Sequence, residues 1–141
     1  MKVWNKVLIL ASLGLGLSAC QSPTSQVPGQ THHYTFENEC PALLVMKVGE
    51  TLVFNAPENP STGFQWQLMQ PIKLFKIEES YLASETEEGV VGAGGEKAFR
   101  FTAEKPGQEL IELSYVRPWE VQKQITQPST HQTWQCRVRI A

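Results

Sequence analysis

From Tyr34 to the C-terminus, apolar residues recur at every second position in short runs. Leu52 and Phe54 alternate with polar or smaller neighbours. So do Phe64, Trp66 and Leu68, then Phe99 and Phe101, then Ile111, Leu113 and Tyr115. Trp134, Cys136, Val138 and Ile140 close the chain in the same way. Side chains two apart on a strand share a face, so each set predicts a strand with one face on a core. Leu43 to Val48 is a more continuous apolar run, as in a strand covered on both sides or near its end. The runs break where turn chemistry is richest: Val48-Gly49-Glu50, Ala56 to Gly63, Gly89 to Gly95, Pro106-Gly107 and Arg117 to Thr130. The chain shows no internal repeat and no long helical apolar pattern.

About seven to eight short strands with spaced turns predict an all-β chain, an immunoglobulin-like β-sandwich. Three turn segments carry the candidate chemistry: Asn59-Pro60-Ser61-Thr62-Gly63-Phe64, Gly92-Ala93-Gly94-Gly95 and Arg117-Pro118-Trp119. They lie about two strands apart. In strands that run up and down, every second connection falls at the same end, so the three are expected to cluster at one end of the sandwich.

The N-terminus reads as an address. Lys2 and Lys6 precede an apolar stretch from Val7 to Leu17, too short to span a bilayer comfortably. It ends in Leu17-Ser18-Ala19-Cys20, which resembles the lipobox of bacterial lipoproteins; a plain signal peptide cleaved nearby is the alternative. The resemblance implies a signal peptide over 1–19 and a lipidated Cys20. Residue 21 is Gln; an Asp there would resemble an inner-membrane retention signal, and its absence favours the outer membrane of a bacterial envelope. Ser, Pro, Gln and Thr dominate Gln21 to Thr31, a stretch able to reach roughly 35 Å if fully extended, so 20–33 is expected to be a lipidated Cys with a flexible tether and 34–141 a single domain. Without Lys2 and Lys6 the formal charge moves from −2 to −4. That argues against nucleic acid, which needs a basic surface.

With Cys20 assigned to lipid, Cys40 and Cys136 remain. An exported protein with two cysteines usually pairs them; two separate buried thiols are the alternative. Zinc is not expected, because no close Cys/His pair has ligand spacing. His32 and His33 fall in the expected tether and His131 stands alone. The chain contains no Asp. It therefore lacks a Ser-His-Asp triad, and Glu78-Glu79 and Glu87-Glu88 are sequence neighbours that a strand would point to opposite faces. An enzyme is not expected.

The three segments suit binding. Pro60 fixes its own φ and keeps Asn59 out of the helical region, while Gly63 allows a positive φ at the exit. Asn59, Ser61 and Thr62 can bond back to the loop backbone. A stiff protruding turn follows, which lowers the ordering cost of binding. Pro60 in the middle position also excludes glycosylation at Asn59. Gly92, Gly94 and Gly95 leave a backbone that can lie close to a partner, or simply a mobile loop. A phosphate loop is excluded because Glu96 to Phe101 is strand-like, not a helix N-terminus. Arg117, Pro118 and Trp119 place two common interface anchors around a rigid residue. Otherwise Trp119 folds onto the core and Arg117 pairs with a nearby Glu. Trp66 and Trp134 fit the core phase.

Taken together and in this order, the segments resemble the chagasin-type inhibitors of papain-like cysteine peptidases, over roughly Val45 to Ile140. The family pattern is similar to Asn-Pro-Thr-Thr-Gly-aromatic, then Gly-x-Gly-Gly, then Arg-Pro-Trp; Ser61 stands here where Thr is common. The resemblance implies a reversible inhibitor whose three loops form a wedge in the protease cleft. Thr62 would lie nearest the catalytic cysteine, Gly92 to Gly95 along the unprimed side, and Arg117 and Trp119 on the primed side. It implies a papain-like protease as partner and, apart from the lipid, no cofactor; nothing in the sequence demands a metal or more than a monomer. The competing class is a non-inhibitory immunoglobulin-like envelope lipoprotein that binds another surface protein or assembly.

Overall fold

The computed structural model describes residues 29–85, 92–122 and 132–141. The expected signal peptide, Cys20, most of the tether, Glu87, Glu88 and His131 lie outside the described residues. Eight strands are present among the described residues: β1 (Thr31–Thr35), β2 (Leu44–Met46), β3 (Thr51–Glu58), β4 (Gln65–Leu68), β5 (Phe75–Ala83), β6 (Gly95–Ala103), β7 (Gly107–Val116) and β8 (Thr133–Ile140). They form two four-stranded sheets, ordered β1-β3-β6-β5 and β2-β8-β7-β4. The all-β, immunoglobulin-like sandwich expected from the alternation is the architecture found.

The core lies where the period-two pattern puts it. Leu52, Phe54, Phe99 and Phe101 face inward from the first sheet, and Trp66, Ile111, Leu113, Trp134, Cys136, Val138 and Ile140 from the second. Phe54 links the sheets, with its ring 4.5 Å from Trp134 and 5.2 Å from Trp66. Cys40 and Cys136 are bridged, 96 residues apart in sequence. The bridge fastens the crossover between β1 and β2 to the middle of β8, which pairs there with β7 through Cys136 and Ile111.

Two boundaries differ from the sequence expectation. The domain starts earlier than residue 34: Thr31 to Thr35 pair in parallel with Thr51 to Asn55, so the last residues assigned to the tether belong to the sheet. His32 is part of that attachment, its Nε2 standing 3.2 Å from Glu50 Oε2. The apolar run at Leu43 to Val48 is not covered on both sides. Only Leu44 to Met46 form a strand, at the sheet edge, and Leu43, Val45 and Val48 are exposed. Pro57 sits inside β3, two residues beyond Asn55, where β1 has already stopped. Beyond that point β3 is an edge, where a missing N–H is tolerated.

Strand direction decides what the fold presents. β3, β5 and β7 run one way and β4, β6 and β8 the other. The connections after β3, β5 and β7 therefore share one end of the sandwich. β1 runs with β3, so the described chain begins at the opposite end.

Candidate functional site: three loops at one end

The connection after β3 is stiff because almost every polar group is used inside it. Asn59 is extended at φ −125°, Pro60–Thr62 form one 3-10 turn, and Gly63 closes it at φ 82°. Asn59 Oδ1 accepts from the Ser61 amide at 3.1 Å and from the Ser61 hydroxyl at 2.6 Å. The Thr62 hydroxyl donates to Asn59 O at 2.7 Å and accepts from the Phe64 amide at 3.3 Å. The Gly63 amide donates to Pro60 O at 3.0 Å.

Asn59 also joins this loop to the other two. Its Nδ2 donates to Gly92 O at 2.9 Å, and its backbone N–H donates to the Tyr115 hydroxyl at 3.1 Å, at the end of β7 that leads to Arg117. The glycines have separate causes. Gly92 has φ 86°, and a Cβ there would meet only Ser61 Oγ at an ordinary contact distance of 3.6 Å, so backbone conformation rather than crowding selects it. A Cβ on Gly94 would stand 3.2 Å from Glu58 O, and one on Gly95 would overlap Leu82 O and the Tyr81 hydroxyl. Gly95 begins β6 and is a packing residue of the hairpin.

After β7, Pro118 opens a short helix, α1 (Pro118–Gln122), at the position where a missing N–H is harmless. The Arg117 guanidinium lies over the Phe64 ring, 4.4 Å from its centroid, and 5.9 Å from the Trp119 ring. Its Nη1 is 3.5 Å from Glu120 Oε1. Trp119 is 49% exposed. One side of its indole covers Gly63: Cζ2 and Cζ3 each lie 3.2 Å from the place a Cβ there would take. The two readings open for this segment combine, since Arg117 does pair with a Glu while Trp119 stays at the surface.

All twelve candidate loop residues thus gather at one end, but with unequal exposure. Phe64, which the alternation placed on the core face, is half-buried just outside β4 and stacks between Tyr115, centroids 5.4 Å apart, and Arg117. Tyr115 in turn stacks on the buried Trp66 at 5.4 Å. A continuous pile therefore runs from the core to the loops. Tyr115 and Glu58 are supports that the sequence reading missed. Glu58 is buried, and its Oε2 accepts from the Trp66 amide at 2.6 Å, tying the end of β3 to the start of β4. A Tyr in a core-phase strand, two residues before a polar loop, was the available signal: its hydroxyl needs a partner.

Away from the loops, burial raises the Tyr34 phenol above its ordinary value in β1, and the Lys47 backbone N–H holds the Glu50 carboxyl below its own beside the opposite end. Among the described residues no group of three His, Cys, Asp or Glu could hold a metal ion. The arrangement is a preformed, protruding edge suited to recognition.

A family model described as chagasin family peptidase inhibitor I42 matches residues 45–138. The chain belongs to the chagasin family of peptidase inhibitors. It is 33% identical to chagasin of Trypanosoma cruzi over 84 residues, covering 55% of this chain and 74% of that protein. It is 29% identical over 93 residues to amoebiasin-2 of Entamoeba histolytica, covering 65% of this chain and 76% of that one. The crystal structure of a cysteine protease inhibitor from Entamoeba histolytica superposes with a TM-score of 0.64 at 25% identity, covering 79% of this chain and 96% of the other. Membership of an inhibitor family agrees with the expectation that the chain is not an enzyme.

Proposed function

We propose that this chain is a reversible protein inhibitor of papain-like cysteine proteases that fills the active-site cleft with its three clustered loops. The observation that carries the reading is the joining of all three family motifs into one bonded edge, through Asn59 to Gly92 and Tyr115 and through Trp119 to Gly63. An edge ordered in advance loses little entropy on docking. The turn at Pro60–Thr62 offers no extended strand in substrate register, so the inhibitor should survive uncut. By its place at the tip, the Asn59 to Gly63 turn meets the catalytic centre. The Gly92 to Gly95 backbone lies along one side of the cleft and Arg117 with Trp119 along the other. An interface of standard size, roughly 1,600 Å² in total, is expected.

The same reading places the protein in a bacterial envelope, held by lipid on Cys20. Its support is the sequence Leu17 to Cys20 together with the start of β1 at the end opposite the loops, which leaves the loops free to meet a protease. The test of function is titration of the chain from Gln21 onward, which keeps all eight strands and the disulfide, against active papain with a fluorogenic peptide. Nanomolar inhibition with the inhibitor recovered intact is the expected result. No inhibition at micromolar concentration by the folded domain would overturn it. The test of location is labelling with radioactive palmitate, which should follow Cys20 and vanish in Cys20→Ser.

A further inference from the structure

The Gly92 to Gly95 segment has almost no side chains, yet the strand beside it has two large apolar ones. Tyr81 is 39% exposed and Leu82 is 76% exposed. Leu82 pairs across the hairpin with Glu96, and Ala83 with Gly95, so both residues stand within a few positions of the loop. Being neighbours on a strand, they occupy opposite faces. The hydroxyl of Tyr81 comes close to Gly95, where any Cβ would meet it. On the other face Leu82 and Pro57 flank Glu96 across three strands and border a shallow cavity of about 460 Å³.

Edge strands are normally guarded by charge. Most of β5 obeys that rule. Lys76 pairs with Glu78 at 3.1 Å, and Glu79 accepts from Lys97 at 2.8 Å. The guard lapses only at Tyr81 and Leu82, next to the loops. A wedge inside a cleft is touched on its flanks as well as on its tip, and this flank is continuous with the glycine segment. We infer that the end of β5 is a further contact patch for the same protease: Leu82 is received by an apolar surface on the cleft wall beyond the glycine segment, while Tyr81, on the opposite face, backs that segment at Gly95. The inference rests on the inhibitor reading. Contacts at the reacting centre are common to every protease of the class, whereas contacts away from it can differ, so this patch sets preference among targets.

The experiment uses the chain from Gln21 onward with Leu82→Ser, Tyr81→Ala and the double variant, against papain and several other papain-like proteases. Inhibition constants, dissociation rates and melting temperatures are read together. Failure of the parent to inhibit any protease would sink the inhibitor reading itself. With an inhibitory parent, the double variant should weaken at least one protease about tenfold, unequally across the panel, mainly through faster dissociation. Leu82→Ser should melt with the parent, since it is a surface change. Inhibition constants within twofold of the parent throughout, while Trp119→Ala still weakens binding, would overturn the patch. So would a uniform loss that tracks a lowered melting temperature.

Discussion

The indole of Trp119 occupies the space that a side chain on Gly63 would need. Residue 63 is also held at φ 82°, a conformation that side chains resist. Two independent constraints therefore meet at one position, one from the turn and one from a loop more than fifty positions later. Trp119 consequently has two faces, one exposed and one supporting the turn.

Gly63→Ala should violate both constraints. A non-glycine residue in left-handed backbone costs about 1–3 kcal/mol, and here the methyl must also displace the ring. A lowered melting temperature is expected, with weaker inhibition of papain even where the variant is fully folded. Trp119→Ala in the same background gives the decisive comparison. If the ring collision matters, Gly63→Ala should harm a Trp119→Ala protein less than it harms the parent. Strictly additive losses would show that the two residues act separately.

Asn59→Asp keeps an oxygen for Ser61 but replaces the donor that reaches Gly92. A carboxylate then faces a carbonyl oxygen, and the bridge between two loops is lost. Such a bond contributes about 0.5–1.5 kcal/mol. If it serves to hold the binding shape, the competent fraction falls, and affinity falls with it by roughly two- to tenfold. Melting should change little, because the bond is exposed. An inhibition constant equal to the parent's would mean the loops are ordered by other contacts.

The architecture was legible because alternation is a local property: Trp134 to Ile140 announce a face in consecutive residues. The clustering of the loops was legible for a related reason, since strand parity needs only a count. What escaped is what distant partners decide. Thr31 to Thr35 have weak alternation and follow a polar segment, and they become a strand through parallel pairing to β3 and the contact of His32 with Glu50. Phe64 and Tyr115 have the phase of core residues, yet they lie at strand ends where the core gives out. Their rings continue the stack outward, and the Tyr115 hydroxyl serves Asn59, 56 positions away. No local pattern encodes that bond.

Removing the bridge by Cys40→Ser with Cys136→Ala should lower stability without disabling the loops. The closed loop spans 96 residues, for which chain-entropy arguments give about 4–5 kcal/mol. A large drop in melting temperature is expected, matched by the parent under reducing agent. Below that temperature the inhibition constant should stay within about twofold, since neither cysteine touches the loop residues among the described contacts. A loss of affinity at full folding would mean that the crossover after β1 helps to place Tyr115 or Asn59.

Glu50 predicts how stability depends on acid. The Lys47 backbone N–H donates to its Oε2 at 3.1 Å, and His32 stands at 3.2 Å. That backbone bond, followed by the His32 contacts and the charge of Lys47, holds the carboxyl below its ordinary range despite partial burial. A lowered value in the folded state means that the folded protein favours the ionised form. The resulting stability is fully present above the ordinary carboxylate range, about pH 4–5, and is lost as pH falls through the lowered value. Glu50→Gln retains an acceptor but cannot ionise. The parent should therefore melt higher than Glu50→Gln near neutrality, and the two curves should converge as pH falls through the lowered value. Parallel curves across that range would show that the charge contributes nothing. Because Glu50 lies at the end opposite the loops, inhibition of papain at neutral pH should be unchanged in the variant; a loss there would mean that the seating of β1 on β3 is felt at Asn59.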